Sequence, residues 1–510
     1  MKKLRLLAIL PTIAVLLTGC LTKSNIPEEE EIDKTTLSYN YQDYASNSYY
    51  GLDVCPSKGN VNILVIPLWF TDSYDYITST THRNNVRSDI EKAFNSEGTE
   101  LGWYSLSSYY KEESKNSLNI TATVSNWYEC GYASSTFARN SNNTAVMVKT
   151  ASDWFFTTTG ESRSLYDSDS NGYLDGVILV YGCPDYASSG SANDKNLWAY
   201  VSWLTTEEYK NVSNPGPNVF MWASYDFMYD EDTAFERAGS YYGHGMNSYA
   251  TLDSHTFIHE MGHVFGLEDY YDYSDNQYTP AGGFSMQDFN IGGHDPYSVL
   301  ALGWGKPIIP TESVTVKISD FQSSHDVILL ANHSVTSPFD EYMLIELYTP
   351  TGLNEFDVKH QYGSYPKGPA YPAIRLWHID ARLLYIYSPT RYSDRDLTDN
   401  PKTDEGRVLH AFSNSYDKTY GSPLANINSK YLDYNIVQLI RDKVASSTKP
   451  KDTVTNGVLF QQGGSYEQSD YSKQFVKGDK MNDGEELGWK FTINELSKNS
   501  ATISLYKLSK

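Results

Sequence analysis

The 510-residue sequence predicts a mixed α/β half with a twisted sheet, followed by an all-β region of the β-sandwich type. Residues 61–70 (VNILVIPLWF) and 176–183 (GVILVYGC) are continuous apolar runs of strand length, which are typical of strands buried on both faces. In the intervening segment 84–110, apolar residues recur at helical spacing. After residue 310 the sequence changes to short β-type segments that are separated by Gly, Pro, Asn and Asp.

The other elements follow from the same patterns. Residues 118–130 alternate as a strand does, and residues 196–204 (NLWAYVSWL) predict a further strand. The β-type segments of the second half are VTVKISDF, DVILLAN, EYMLIELYT, AIRLWHID, KFTINEL and ATISLYKL. We therefore expect an α/β domain over residues 59–310 and a β-rich region over residues 311–510, in which no internal boundary is evident.

The N-terminus has the pattern of a bacterial lipoprotein signal. Three basic residues among the first five precede an apolar stretch, residues 6–17, which is too short to span a bilayer and suits a signal peptide core. The stretch ends in LTGC, which resembles the lipobox, where Cys20 would be lipidated; an ordinary cleaved signal with a chance cysteine is the alternative. We predict a signal peptide at 1–19, an acidic tether at 20–58, and a lipid anchor on the outer face of the bacterial cell membrane.

Composition and charge exclude some classes of function. A formal net charge of −23 argues against a nucleic-acid partner, which would require clustered Lys and Arg. The 43 tyrosines suit either a glycan-binding surface or strands and interfaces that use a side chain with an apolar ring and a hydrated hydroxyl group. Apart from Cys20, the cysteines are Cys55, Cys130 and Cys183, so at most one disulfide can form. A hydrophobic core must therefore stabilise the fold.

The segment DSHTFIHEMGHVFG carries the clearest chemistry. It predicts a helix that Asp253 or Ser254 can cap and that Gly266 can end in a left-handed conformation. His259 and His263 are four residues apart and thus lie on one helical face, where both can present a ring nitrogen to the same ion. Two surface histidines on a solvated helix would be the alternative for this motif alone.

The neighbouring residues extend the motif. Glu260 follows the first histidine, and H-E-x-x-H on a helix is a pattern of zinc metalloproteases. Asp269 stands where the metzincin pattern has its third ligand, while the adjacent Glu268 is one residue off that spacing. Met286, in AGGFSMQDFN, is expected in a Met-turn beneath the metal, or else as core filler. His255 lies on the same helical face, and we expect it to pack beside the site.

The chain resembles the immune inhibitor A family of secreted bacterial metallopeptidases. HEMGHVFGLEDYYD, GGFSMQD and GGHDPYSVLALGWGKP carry the resemblance, with NILVIPLWF and YDSDSNGYLDGVILVYG upstream and EYMLIELYTPTG downstream, and it covers roughly residues 60–385. It implies a metzincin-like catalytic domain, a zinc ion and endopeptidase activity on proteins. On this resemblance His259, His263 and Asp269 are the ligands of Zn²⁺, and Glu260 is the general base.

Two departures from the family pattern concern function. Some metzincins have a tyrosine two residues after the Met-turn methionine, but here that position is Asp288, so the group that assists the oxyanion is not assigned. The chain before NILVIP is too short for a sizeable inhibitory prodomain. Cys55 is an alternative latch for the zinc, as a thiolate.

A second segment predicts a calcium site. In DSDSNGYLDG the oxygen-bearing side chains of Asp167, Asp169, Asn171 and Asp175, with the backbone carbonyl of Tyr173, match the ligand spacing of a calcium loop. The twelfth position is an isoleucine of the following strand, so the segment is not an EF-hand. We expect Ca²⁺ to have a structural role here; an acidic surface turn is the alternative.

These patterns together predict a lipid-anchored zinc endopeptidase that acts on proteins or peptides, with Glu260 accepting a proton from the attacking water. One alternative is a surface lipoprotein whose tyrosine-rich β-region binds glycans or host proteins. Another is a protease directed at glycoproteins. The sequence does not predict the oligomeric state.

Overall fold

The structure is a computed structural model, and it describes most of the chain outside the N-terminal signal. The described residues are 26–38, 40–45, 53–98, 103–138, 141–185, 197–204, 207–229, 252–273, 279–359, 362, 367–386, 395–398, 407–415, 433–442 and 456–509. The predicted signal peptide and Cys20 lie outside them. Within these ranges, no helix combines the length and the apolar character that crossing a bilayer requires.

The N-terminal half alternates helices and strands. Its helices are α1 (Tyr41–Ala45), α2 (Thr80–Asn95), α3 (Leu106–Glu113), α4 (Ser141–Thr159), α5 (His255–Val264) and α6 (Pro296–Ala301). Its strands are β1 (Gly59–Trp69), β2 (Leu118–Val124), β3 (Tyr128–Glu129), β4 (Val177–Tyr181), β5 (Tyr200–Trp203) and β6 (Val219–Ser224). These strands form one sheet in the order β2-β1-β4-β6-β5, in which β3 also pairs with β1.

The sheet is mixed, since β5 runs antiparallel to β6 and the other pairs are parallel. Successive side chains of a strand point to opposite faces, and β1 is buried on both. On one face Val61, Ile63 and Val65 join the core beneath α2, α3 and α5. On the other face Leu64, Ile66 and Leu68 pack with residues of α4. The prediction of a buried central strand is confirmed.

Helix α4 was not predicted from the sequence. Its polar residues are mostly Asn, Ser and Thr, which are weak helix formers. The helix is stabilised by an apolar stripe that packs on the sheet, formed by Met147, Val148, Ala151 and Phe155. This spacing of one, four and eight residues is helical, so periodicity was the signal that could have found it.

The C-terminal half is dominated by antiparallel strands. Its strands are β7 (Val314–Ser319), β8 (Val327–Leu330), β9 (Glu341–Tyr348), β10 (Ala373–Asp380), β11 (Leu383–Ile386), β12 (Arg395–Thr398), β13 (Arg407–His410), β14 (Val437–Ile440), β15 (Ser465–Glu467), β16 (Trp489–Leu496) and β17 (Ser500–Lys507). In the described part of this half, two short helices interrupt the strands, α7 (Phe321–Ser324) and α8 (Asn354–Lys359). The mixed α/β class with an antiparallel C-terminal region is thus confirmed.

The strands that the structure describes in this half form three sheets, with the orders β14-β10-β9-β8, β12-β11-β13 and β15-β16-β17-β7. The first and third of these share one hydrophobic core, in which Ile345 and Leu376 meet Phe491 and Ile503. The opposite face of the first sheet, which includes Trp377, belongs to the core that also contains α5. The C-terminal half therefore packs directly against the half that contains the H-E-x-x-H helix, and the core is continuous across residue 310.

Part of the expected tether is paired with the C-terminal half. Within residues 26–38, the Glu30 N–H donates to the carbonyl of Thr315 at 2.9 Å. Ile32 packs against the core that the two antiparallel sheets share. Residues of the predicted tether are thus paired with the C-terminal half, since main-chain pairing does not require apolar side chains.

Candidate metal centre

Helix α5 carries the two histidines and is held at both ends. Ser254 occupies the N-cap position, but its hydroxyl donates to the carbonyl of Tyr104 and does not cap the helix. Asp253 accepts the first helical N–H, from His255, at 2.9 Å. At the other end Gly266 has φ of +101°, as the sequence predicted, and its N–H donates to the carbonyl of His263 at 2.9 Å. The chain thereby reverses toward Asp269.

The structure brings His259, His263 and Asp269 together. One carboxylate oxygen of Asp269, Oδ1, lies 2.9 Å from Nε2 of His259 and 3.3 Å from Nε2 of His263. The three side chains are 10–16% exposed, so the cluster is largely desolvated but remains open to solvent. The spacing of His259, His263 and Asp269 in the sequence predicts this convergence.

The hydrogen bonds of the two Nδ1 atoms, in His259 and His263, determine that the Nε2 atoms face the cluster. Nδ1 of His259 lies 2.7 Å from the carbonyl of Met286, and Nδ1 of His263 lies 2.8 Å from the carbonyl of Leu267. A carbonyl can only accept, so each Nδ1 carries the hydrogen. In the neutral rings each Nε2 then carries no hydrogen, and its lone pair points at the same carboxylate oxygen. Such an arrangement is repulsive unless a proton or a cation lies among the three atoms.

The pKa values show the same conflict. Burial alone would lower the pKa of His263, but the facing Asp269 carboxylate outweighs burial and raises that pKa to about 10. Burial would raise the pKa of Asp269, yet His263 and His259 hold it well below its usual range. Two imidazoles and a carboxylate are ligands that zinc accepts. The donor set therefore fits a zinc ion, which would replace the shared proton.

Glu260 lies beside this cluster without being part of it. Burial raises the pKa of its carboxyl group, while the charges of His263 and His259 lower it. Its Oε2 is fully buried, and it forms no hydrogen bond within the described part of the chain. A buried carboxylate oxygen without a partner is costly. Glu260 therefore has a carboxylate oxygen without a partner among the described residues, on the helix that carries the two histidines.

The methionine turn supports the first histidine. Met286 is fully buried, and its backbone carbonyl is the group that accepts from His259. The preceding Ser285 has a positive φ of 95°, and its hydroxyl donates to Asp295 at 2.8 Å. Asp288, where some metzincins have a tyrosine, accepts backbone N–H groups on both oxygens and so stabilises the turn.

Gln287 was not predicted from the sequence. Its side chain is fully buried against the helix, where a Cβ on Gly262 would lie 2.1 Å from its Oε1. Its Nε2 is 3.4 Å from Nδ1 of His263, and its backbone carbonyl accepts the N–H of Tyr270 at 2.8 Å. Gln287 thus contacts both the helix and the loop that contribute ligands. The glycine in HEMGH was the only sequence signal for such close packing.

Tyr273 is a second unpredicted residue. Its hydroxyl donates to Oδ2 of Asp269, the oxygen that does not face the histidines. Tyr273 as a whole residue is 51% exposed, while its hydroxyl contacts a largely buried carboxylate. Glu268, the alternative third ligand, has its Oε1 2.9 Å from Nδ1 of His410. The geometry therefore favours Asp269 over Glu268.

Two other candidates lie outside the cluster. His255 is buried, and its Nε2 lies 3.1 Å from the carbonyl of Asn290, so it packs beside the site as expected. Cys55 is fully buried in the hydrophobic core, and its N–H donates to the carbonyl of Val264. Cys55, Cys130 and Cys183 are all free thiols, and Cys55 is not among the groups that converge with the histidines.

The predicted calcium loop also brings carboxylates together. Oxygens of Asp167, Asp169 and Asp175 lie within 4.8 Å of one another. Burial, with a smaller contribution from the Asp169 and Asp167 charges, raises the pKa of Asp175 to about 8. The side-chain oxygen of Asn171 accepts the N–H of Tyr173 at 2.8 Å, which leaves the loop tightly wound. Apart from this cluster and that of His259, His263 and Asp269, no group of three or more His, Cys, Asp or Glu side chains converges in this way among the described residues.

Comparison with models of known protein families found no match to this chain, and no curated protein matches it either. We therefore infer function from the chain's own residues and their geometry.

Proposed function

We propose that the protein is a zinc-dependent metalloendopeptidase with a metzincin-like catalytic domain. The observation that carries this proposal is the convergence of two imidazole nitrogens and one carboxylate oxygen beside Glu260, whose Oε2 has no hydrogen-bond partner among the described residues. The H-E-x-x-H helix, the reversed chain and the third ligand ten residues after the first are the arrangement of metal-dependent peptide hydrolases. His259, His263 and Asp269 are the proposed ligands.

A zinc ion held by His259, His263 and Asp269 would supply Lewis-acid chemistry and would lower the pKa of a water there to about 7. The protein's own groups then direct the reaction. Glu260 accepts the proton of the attacking water, since its Oε2 is buried and has no other partner in the part of the chain that the structure describes. The same carboxyl group returns the proton to the departing amine. The carbonyls of Met286 and Leu267 keep both imidazoles in the tautomer that presents Nε2 to the metal.

Replacing Glu260 tests this assignment. Glu260→Gln removes the base but keeps the size of the side chain, so zinc should still bind in a one-to-one ratio. Cleavage of casein should fall by about 10²–10⁴-fold, the usual contribution of a general base. Glu91→Gln, at a partly exposed position of α2, is the matched control and should retain full activity. If Glu260→Gln cleaves casein as fast as the unsubstituted protein, the proposed mechanism is wrong.

We also propose Ca²⁺ as a structural ion at Asp167, Asp169 and Asp175, with Asn171 and the Tyr173 carbonyl as the further oxygen groups of the loop. Three carboxylates this close repel one another, and a cation with oxygen ligands would relieve the repulsion. The loop leads directly into β4, the strand next to β1 in the mixed sheet. Bound calcium would thus stiffen the sheet that supports α5.

The location of the protein is likewise a proposal. We propose that it is exported and held on the outer face of the bacterial cell membrane by a lipid on Cys20, where it cleaves proteins or peptides. Mass spectrometry of the N-terminal peptide of the mature protein should show a diacylglyceryl adduct on Cys20. Release of the protein by Cys20→Ala into the medium is the expected companion result, and a membrane-bound Cys20→Ala protein would contradict the anchor.

A further inference from the structure

Glu268 precedes the proposed ligand Asp269, but its side chain points away from the metal cluster. Its Oε1 lies 2.9 Å from Nδ1 of His410, which ends strand β13 in the C-terminal half. Glu268 is 33% exposed, whereas the side chain of His410 is only 4% exposed. A buried histidine from the C-terminal half therefore contacts the loop that contributes the third ligand.

The other nitrogen of His410 is held by two hydroxyl groups. Nε2 lies 2.9 Å from the hydroxyl of Tyr41, in α1, and 2.9 Å from that of Tyr297, in α6. The two hydroxyl oxygens are 3.2 Å apart. Glu268 as a carboxylate can only accept, so Nδ1 donates to it and Nε2 accepts from a tyrosine hydroxyl. The orientation of the ring is thus determined on both sides.

A second contact from the C-terminal half holds the residue after the ligand. Nδ2 of Asn414 donates to the carbonyl of Tyr270 at 2.9 Å and to that of Val437, in β14, at 2.7 Å. The residues immediately before and after Asp269 are therefore both bound to the C-terminal half. The ring of Tyr41 also packs closely against Gly266, since a Cβ added at this glycine would lie 3.1 Å from the ring.

We propose that His410 is a positioning residue for the metal ligand Asp269 and that it acts through Glu268. This inference rests on the proposed metal site. A zinc ligand must lie within about 0.2 Å of its ideal distance, and loops seldom achieve this without outside support. His410 supplies that support from a strand of the C-terminal half, 142 residues after Glu268 in the sequence. The metal centre is therefore built from both halves of the chain.

The inference predicts different effects for two substitutions of His410. The amide nitrogen of asparagine can replace Nδ1, whereas that of glutamine occupies roughly the position of Nε2. His410→Gln should therefore lose the bond to Glu268, and His410→Asn should keep it. We expect His410→Gln to weaken zinc binding by about 10–100-fold, the usual effect of losing support behind a ligand, and His410→Asn to recover most of that loss.

Zinc affinity would be measured on the full chain by competition with a chromophoric chelator. His333→Gln is the matched control, since His333 is a surface histidine of the same half that contacts Asp340. Unfolding of the zinc-free proteins, followed by circular dichroism, separates loss of metal binding from loss of folding. Equal zinc affinity of His410→Gln and the unsubstituted protein would overturn the inference, as would equal losses in His410→Gln and His410→Asn.

A double-mutant cycle tests whether His410 acts through Glu268. Glu268→Ala removes a partly exposed side chain, so this variant stays informative even if substitutions of the buried His410 do not fold. Glu268→Ala should weaken zinc binding to the same extent as His410→Gln, and the double variant should bind no more weakly than either one. Additive losses, or an unaffected Glu268→Ala, would contradict the inference. Absence of zinc from the unsubstituted protein would instead contradict the proposed function.

Discussion

Gly262→Ala should weaken zinc binding strongly while it changes the stability of the protein only slightly. A Cβ at this position would lie 2.1 Å from Oε1 and 2.6 Å from Cδ of Gln287, which is fully buried. Overpacking of this kind costs about 1–3 kcal/mol, while replacing a helical glycine with alanine returns about 1 kcal/mol. The free energy of unfolding of Gly262→Ala should thus fall by only about 0–2 kcal/mol.

Metal binding should suffer more than stability. Gln287 can relieve the overlap only by moving, and its side chain lies against His263 while its backbone holds Tyr270. Displacement of such supporting groups usually weakens metal binding by about 10–100-fold. Competition with a chelator gives the zinc affinity, and denaturant unfolding of the zinc-free protein gives the stability.

Gly176→Ala is the control for this substitution, because its Cβ would lie 3.5 Å from the nearest atom and requires no displacement. Gly176→Ala should change neither the zinc affinity nor the free energy of unfolding measurably. If Gly262→Ala binds zinc as tightly as the unsubstituted protein, then Gln287 does not support the metal site, and the reasoning from the 2.1 Å approach is refuted.

Three further predictions concern the calcium loop, Tyr273 and Glu113. In excess zinc, calcium should raise the melting temperature, and Asp175→Asn should reduce that rise; no calcium effect would contradict the second site. Tyr273→Phe should weaken zinc binding by about tenfold, since Asp269 loses a hydroxyl donor, and equal binding would show that this bond is unimportant. Burial raises the pKa of Glu113 to about 7, so the folded state retains a proton that the unfolded chain loses near pH 4.5. Stability should therefore fall as pH rises from about 4.5 to 7, by up to about 3 kcal/mol more than in Glu113→Gln; parallel pH profiles would contradict this.

The sequence predicted those parts of the fold that depend on local periodicity. The long apolar run of β1, the helical spacing of α2 and the alternation of β2 each depend on burial of one or both faces of the same element. In the candidate site, the convergence of His259 and His263 follows from helical spacing alone. The approach of Asp269 follows from the glycine that reverses the chain.

Contacts between distant segments could not be predicted in this way. Helix α4 lacks strong helix formers, and its apolar stripe is significant only because a sheet lies beneath it. His410 gives no local sign that it contacts Glu268 across 142 residues. Residues 26–38 pair through their backbone, which leaves no pattern in their side chains. These features depend on how elements pack together, and a single sequence does not encode that in its local spacing.

The central claim is that one zinc ion is held by residues of the H-E-x-x-H helix and the loop that follows it. The most direct test is anomalous diffraction at the zinc absorption edge from crystals of the zinc-loaded protein. We predict a single strong peak about 2.0–2.2 Å from Nε2 of His259, Nε2 of His263 and one oxygen of Asp269. Absence of a peak at these residues, or a peak bound to Glu268 in place of Asp269, would contradict the account.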